Sequence, residues 1–178
     1  IKASSIRPSI YKLPGGTYRL QIDAVLGDSF NAETLRDELI HLLVAEIILK
    51  SNPDMEALSK GNILPDWLRV GLVEAIEYRK DRESVMLFSA IFKQGKFMSI
   101  AQIFESEIQD MNSVSKAVYR TSCCGLILAL LSQQEGADKF RKYITGLAVH
   151  KGSSRDLLGK VFPGTAESKN SLEKWWAL

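Results

Sequence analysis

Residues 37–41 read Asp-Glu-Leu-Ile-His and bring two carboxylates and an imidazole together on one predicted helix. Residues four apart share a helix face, so Asp37 and His41 could approach the same divalent ion. Carboxylate oxygens and imidazole nitrogens both bind Zn²⁺ in proteins. His41 also has a simpler interpretation, as a histidine held in or near the core, with Glu38 as its neighbour one turn away. The segment therefore indicates either a metal site or local packing.

A second segment, residues 64–74, reads Leu-Pro-Asp-Trp-Leu-Arg-Val-Gly-Leu-Val-Glu. The two segments resemble the site helices of the gluzincin (peptidase-MA-like) metallopeptidases, which carry H-E-x-x-H and then L-P-x-W-L-x-E-G-x-A-E. Residues 157–164 and 171–176 resemble the end of such domains. With the N-terminal strand described below, the resemblance touches the N-terminal hairpin, both predicted site helices and the C-terminal end of the chain.

The resemblance implies a role for each matched position. Glu38 occupies the position of the general base that takes a proton from zinc-bound water, and His41 occupies that of the second zinc ligand. Asp37 replaces the first imidazole, and Val70 replaces the glutamate that is the third ligand. Valine has no atom that can bind a metal, so the predicted site is an altered one with no bound metal expected.

Two further positions in the second segment keep the family pattern, Trp67 and Glu74. Glu74 follows Val70 by one turn, about 5.4 Å along the axis, which is too far to replace it as a ligand. We therefore expect Glu74 to be structural and Trp67 to support a cleft, although tryptophans at such positions most often pack in a core. The strand of residues 17–26 corresponds to the edge strand that pairs with extended substrate in these enzymes, which makes Tyr18, Leu20 and Ile22 candidate cleft residues.

The N-terminal residues have the pattern of a β-hairpin. Strands are predicted at residues 9–12 and 17–26, joined by the turn Leu-Pro-Gly-Gly of residues 13–16. In the second strand, alternate apolar residues predict one buried face. That face comprises Tyr18, Leu20, Ile22 and Ala24.

Helical periodicity begins after Asn31, a good N-cap, and continues in most of the remaining chain. The first helix is predicted at 32–50, with a buried face of Leu35, Leu39, Leu42, Leu43, Glu46 and Ile47. A second helix, begun by Pro65, is predicted to run to about Lys80. Further helices are predicted at 84–93, 99–107, 113–133, 136–149, 154–162 and 167–177.

These elements predict an α+β fold in which a short antiparallel hairpin precedes a mostly helical body, as in gluzincins. A chain of 178 residues is sufficient for one domain. We expect a single domain over residues 1–178. It would comprise a hairpin region (1–30), the site helices (31–80) and a helical subdomain (81–178).

Composition excludes several classes of protein. The net charge of +2, with both signs interspersed, predicts no nucleic-acid partner. No uninterrupted apolar run is long enough to span a bilayer, so no transmembrane segment is expected. Cys123 and Cys124 are adjacent and are predicted to be buried apolar residues rather than a disulfide or a metal pair. Motifs of serine hydrolases, nucleotide-binding loops and zinc fingers are absent from the sequence.

The resemblance implies a pseudopeptidase, a catalytically inactive metallopeptidase-like domain that binds or scaffolds an extended peptide or protein. One alternative is a divergent metal-dependent hydrolase with a rebuilt zinc site that uses Asp37, Glu38 and His41. Another is a small helical interaction domain in which residues 37–41 match the motif by chance. Zinc is expected as a cofactor only for the hydrolase, and family resemblance alone favours an exported or cell-envelope location.

Overall fold

The computed structural model describes residues 5–28, 30–52, 64–80 and 97–163. Over these residues the chain is α+β, with a two-stranded antiparallel hairpin followed by six α-helices. The coarse prediction of the fold class is therefore confirmed. The predicted helices 84–93 and 167–177, and the stretch 171–176 that resembles the end of peptidase domains, lie outside the described residues.

The strands and helices follow one another along the chain in a simple order. A short 3₁₀ turn at Ile108–Asp110 comes between the third and fourth helices. The elements are β1 (Ser5–Lys12), β2 (Tyr18–Val25), α1 (Ala32–Ser51), α2 (Asp66–Lys80), α3 (Ile100–Glu105), α4 (Ser113–Leu131), α5 (Gly136–Gly146) and α6 (Ser154–Val161).

The chain divides into two compact units. The first comprises Ile1–Leu64 and Ile144–Val149, and the second comprises Pro65–Tyr143 and His150–Leu178. The boundary falls between the two helices that the sequence places in one site, so α1 belongs to the first unit and α2 to the second. The single domain expected from the sequence remains a prediction.

In the first unit, β1 and β2 are joined by a tight turn. Gly15 and Gly16 have φ angles of +93° and +80°, which glycine adopts without steric cost. The Leu13 amide donates to the Thr17 carbonyl at 2.8 Å and closes the hairpin. The predicted hairpin is confirmed, but β1 begins at Ser5 rather than at residue 9. The strand therefore includes Pro8 and three residues before it, which the prediction left out.

Helix α1 packs against both strands of the hairpin. Its start is the predicted one, because the Asn31 side chain accepts hydrogen bonds from the amides of Glu33 and Thr34. At the far end of the helix, the Asn52 side chain donates to the carbonyl of Thr145 at 3.5 Å. This contact links the short segment Ile144–Val149 to the rest of the first unit.

The predicted buried face of α1 is wrong in part. Leu39 and Leu43 are exposed, at 45% and 58%, whereas Leu42 is buried as expected. The apolar residues of this helix occur on all its sides, so their spacing does not identify the side that faces the core. The buried residues of α1 are Ile40, Leu42, Val44, Ala45, Ile48 and Leu49.

In the second unit, α2 packs closely along α4, and α3 also contacts α4. The two helices approach closely at Gly71, where a Cβ atom would lie 2.8 Å from both the Cys123 carbonyl oxygen and Ile127 Cγ1. Only glycine fits at this point without displacing a neighbour. The glycine of the second sequence segment is therefore explained by the packing of α2 against α4.

Helix α4 is long and apolar enough to meet the length and hydropathy criteria for a membrane span, with a mean hydropathy of 1.4 over its apolar window. Half of that window is buried within the structure, and α4 contacts α2 and α3. The core helix of a globular domain has the same composition, so the described residues contain no clear transmembrane segment.

Candidate functional site

The predicted metal-site residues of the first unit lie in the N-terminal half of α1. Asp37, Glu38 and His41 are all half-buried. Successive helix residues are rotated by about 100°, so Asp37 and His41 lie within about 40° of each other around the helix axis. The same side of α1 carries the buried residues Val44 and Ile48 further along. The pair therefore extends the core-facing side of the helix.

The predicted positions of the second unit lie on α2. Val70 is half-buried, and its side chain has no metal-binding atom. Glu74 accepts a hydrogen bond from Arg120 Nε of α4 at 2.6 Å, and its side chain is only 14% exposed. This carboxylate therefore takes part in an ion pair that joins α2 to α4.

Trp67 lies in the core of the second unit, where it is 1% exposed. Its ring centroid is 4.9 Å from that of Phe104 and 5.9 Å from that of Tyr143. Such tilted aromatic contacts stabilise a core beyond the burial of surface alone. Trp67 thus packs within the second unit and has almost no surface available to line an open cleft.

No group of three or more His, Cys, Asp or Glu side chains within the described ranges is placed to hold a metal ion. Catalytic zinc sites ordinarily use three protein ligands. Asp37 and His41 supply two donors of suitable type on one helix. The expected absence of a bound metal is not tested by this arrangement and remains a prediction.

The two thiols lie on the buried side of α4. Cys123 and Cys124 are free and fully buried, as the sequence predicts. Burial, and to a lesser degree the nearby Glu74 carboxylate, raises the pKa of Cys124 to about 12. Burial also raises the pKa of Cys123. Both thiols are therefore protonated at neutral pH and unsuited to act as nucleophiles.

The hydrogen-bond register of the hairpin determines which backbone groups face outward. Leu13 and Thr17 form a hydrogen-bonded pair. Hydrogen-bonded and non-hydrogen-bonded pairs of facing residues alternate from there along the two strands. Pro8 is opposite Ile22 in one of these non-hydrogen-bonded pairs, so its nitrogen faces away from β2. This position explains why β1 accepts a proline, and it removes a hydrogen-bond donor from the outer edge of β1.

The outer edge of β2, in contrast to that of β1, contains no proline and keeps all its backbone donors. Tyr18, Leu20, Ile22 and Ala24 occupy non-hydrogen-bonded pairs, so their N–H and C=O groups point away from β1. Within the described ranges, β2 pairs with β1 only. The β2 outer edge, defined by these four residues, therefore presents a complete row of backbone donors and acceptors.

The side chains of this row face α1. Tyr18, Leu20 and Ile22 are half-buried, which agrees with the predicted buried face, although Ala24 at the end of the strand is exposed. A pocket of about 320 Å³ lies between the beginning of β2 and the end of α1. We call it the turn pocket. Its lining residues are Gly16, Thr17, Tyr18, Leu20, Glu46, Leu49 and Lys50.

A row of exposed side chains on α1 continues from the turn pocket. Glu46 and Lys50 form an ion pair of 2.6 Å at the pocket. Leu43 and Leu39 lie one and two turns before them, within about 60° of the same side of the helix. We call these four residues the α1 ridge. The exposure of its two leucines was not predicted from the sequence. Pro8 is a sequence signal only that β1 is an edge strand.

No protein-family model matches the chain, and no curated protein or solved structure matches it. The likeness to gluzincins therefore depends on the motif residues alone.

Proposed function

We propose that this protein is a catalytically inactive, metallopeptidase-like domain that binds an extended peptide or protein segment along β2. The observation that carries the proposal is the β2 outer edge, where the N–H and C=O groups of four residues have no strand partner among the described residues and lie beside a pocket. Exposed strand edges bind extended peptides by adding a strand, with main-chain hydrogen bonds supplying affinity and pockets supplying specificity. The proposal agrees with the place of the edge strand in gluzincins.

Two substitutions support the loss of catalysis. If α2 is the counterpart of the gluzincin ligand helix, Val70 removes an anionic ligand, and Asp37 replaces a neutral imidazole on α1. One imidazole and one carboxylate would remain, fewer than the three ligands that catalytic zinc requires. Glu38 would then keep the position of the general base without a metal-bound water on which to act.

A divergent hydrolase is the second candidate, because Asp37 and His41 share one side of α1 with Glu38 adjacent. This candidate requires a metal and a third ligand from another part of the chain. Metal content of protein purified without chelator, together with an Asp37→Ala variant, distinguishes the two functions. Stoichiometric metal that is lost in the variant, or chelator-sensitive hydrolysis that is lost in Glu38→Gln, would establish the hydrolase.

Peptide binding is tested with a displayed library of random dodecapeptides selected on the immobilised protein. Selected peptides are then synthesised with a fluorescent label and titrated by fluorescence anisotropy against the wild type and the Ala24→Pro variant. Ala24 is exposed, and its amide points outward, so proline there removes a donor from the β2 outer edge without breaking the hairpin. We expect binding to weaken at least about tenfold, since a hydrogen bond is lost and the proline ring obstructs close approach.

The matched control is Ile6→Pro, because Ile6 pairs with Ala24 and its amide faces the outer edge of β1. This variant should bind the selected peptides with the wild-type affinity. Equal affinity of wild type and Ala24→Pro, or a selection that yields no binding peptide, would contradict strand addition at β2.

A further inference from the structure

We infer that the β2 outer edge selects segments with apolar side chains at three alternate positions, i, i+2 and i+4, followed by a carboxylate. This inference rests on the proposed function and adds the chemical class of the ligand. Its evidence is the spacing of the α1 ridge, the composition of the turn pocket and the charges at the pocket end of the hairpin.

Helix α1 runs antiparallel to β2, because only residues 26–31 connect them and the end of α1 shares the turn pocket with the beginning of β2. The strand and the helix therefore lie side by side over most of their length. A segment added to the outer edge of β2 would continue this sheet, and every second side chain of the segment would face the side of α1.

The spacing of the ridge matches that of a strand. The turn pocket is centred near residue 48 of α1. Along the helix axis, the distance from this centre is about 7.5 Å to Leu43 and about 13.5 Å to Leu39. Alternate residues of a strand are about 6.8 Å apart, and residues four apart are about 13.6 Å apart. Three consecutive inward side chains of the bound segment would thus meet the turn pocket, Leu43 and Leu39.

Each of these three contacts favours an apolar side chain. Leu39 and Leu43 are exposed at 45% and 58%, so burying them beneath a ligand side chain removes apolar surface from water. In the turn pocket, Tyr18, Leu20 and Leu49 supply apolar walls, and a volume of about 320 Å³ is sufficient for an aromatic side chain. The Glu46–Lys50 ion pair at the pocket already satisfies its own charges.

The pocket end of the edge is electropositive. Lys12 Nζ lies 6.0 Å from the ring centroid of Tyr18, a pocket residue, and makes no ion pair with a carboxylate of the described chain. The Glu46–Lys50 pair is neutral as a whole, so the Lys12 ammonium group gives this end its positive charge. A segment that pairs antiparallel to β2 ends at this side, so a carboxylate on its C-terminal side would face Lys12. Antiparallel pairing is also slightly the more stable arrangement.

The test uses labelled synthetic peptides and fluorescence anisotropy. The alternating peptide is Ser-Thr-Leu-Thr-Leu-Thr-Phe-Ser-Glu-Glu-amide, and its isomer places Leu-Leu-Phe consecutively. Three consecutive residues put at most two side chains on one face, so the isomer loses one apolar contact. We expect the alternating peptide to bind about tenfold more tightly than the isomer.

Protein variants assign the contacts. Leu43→Ser should weaken binding of the alternating peptide about tenfold, whereas Val114→Ser, at an exposed apolar position of α4, should leave it unchanged. Lys12→Gln should weaken binding about threefold, with no effect on a peptide that ends in Gln-Gln-amide. A peptide that ends in Gln-Gln with a free C-terminus shows whether a terminal carboxylate can replace the glutamates.

Failure of this inference and failure of the proposed function give different results. If Ala24→Pro removes binding while the two isomers bind equally, strand addition remains and the alternating specificity is wrong. If library peptides bind and the alternating peptide does not, strand addition likewise remains and the alternating specificity is wrong. If neither Ala24→Pro nor Leu43→Ser changes the affinity, both are wrong. A wild-type dimer that Ala24→Pro dissociates would show that a second copy of the chain occupies the edge, which would also overturn the inference.

Discussion

Arg120 Nε lies 2.6 Å from Glu74 Oε1, and this ion pair joins α4 to α2 within the second unit. Glu74 is mostly shielded, with 14% of its side chain exposed, whereas Arg120 is 43% exposed. We expect Glu74→Gln to lower the free energy of unfolding by about 1–2 kcal/mol, because a charge-assisted hydrogen bond is lost and solvent screens only the arginine. Urea denaturation measures this change.

The matched control is Glu46→Gln on α1. Glu46 and Lys50 are also 2.6 Å apart, but their side chains are 41% and 74% exposed. Solvent screening and side-chain entropy reduce the stabilisation from such an exposed pair to a few tenths of a kcal/mol. We therefore expect Glu46→Gln to lower the free energy of unfolding by less than about 0.5 kcal/mol. Equal losses in the two variants would show that burial does not determine the strength of the Glu74 pair.

Gly71→Ala tests the close approach of α2 and α4. An added Cβ atom would lie 2.8 Å from the backbone oxygen of Cys123, which cannot move without displacing the helix. Alanine favours a helix over glycine by about 1 kcal/mol, but overpacking costs about 1–3 kcal/mol. We therefore expect a net loss of stability of about 1 kcal/mol. Thermal and urea denaturation measure it, and a variant more stable than the wild type would contradict the packing described.

Stability should decrease at alkaline pH because buried groups of the second unit resist ionisation. Burial raises the pKa of Cys124 from 9.0 to about 12, and also raises that of Tyr119. The unfolded chain loses these protons first, so their contribution is complete below about pH 9 and is lost as the pH rises towards the folded pKa. The urea midpoint should therefore fall from pH 9 upwards.

The Cys124→Ala variant identifies the thiol's part in this decrease. Removing the thiol removes one ionisation that favours the unfolded state, so the midpoint should fall less steeply with pH than in the wild type. The comparison uses slopes, because the substitution also changes stability at neutral pH. Identical slopes in the two proteins would show that Cys124 does not ionise differently on folding.

Metal binding tests the mapping of the gluzincin motif. The double variant Asp37→His, Val70→Glu restores two imidazoles and one carboxylate at the ligand positions of the family. If the peptidase geometry is preserved, we expect it to bind one zinc ion at least about a hundredfold more tightly than the wild type. Isothermal titration calorimetry measures this difference. A well-folded double variant that gains no zinc affinity would show that the two helices are not arranged as in a peptidase.

The local features of the fold were predictable from short stretches of sequence. The turn at residues 13–16 requires positive φ angles, which glycine supplies, and Asn31 caps the first helix with its own side chain. Ser99 begins α3 with a capping box in the same way. In each case the interacting atoms are within a few residues of each other, so no distant part of the chain is needed to specify them.

Other features depended on contacts that the sequence does not display. The first strand was predicted to begin only after Pro8, yet β1 includes this proline, and only the pairing with Ile22 shows that the proline nitrogen faces outward. The buried face of α1 was misjudged in part, because apolar residues occur on all sides of this helix. The partner of Glu74 lies 46 residues further along the chain, on a helix that local spacing does not orient.

The sequence by itself thus determined the hairpin and the order and approximate starts of the described helices, because short-range hydrogen bonds and backbone preferences specify them. Only the tertiary structure decided that Leu39 and Leu43 are exposed to solvent and that β2 pairs with β1 alone within the described residues. Those properties arise from which surfaces pack together, and packing depends on residues that are distant in the chain.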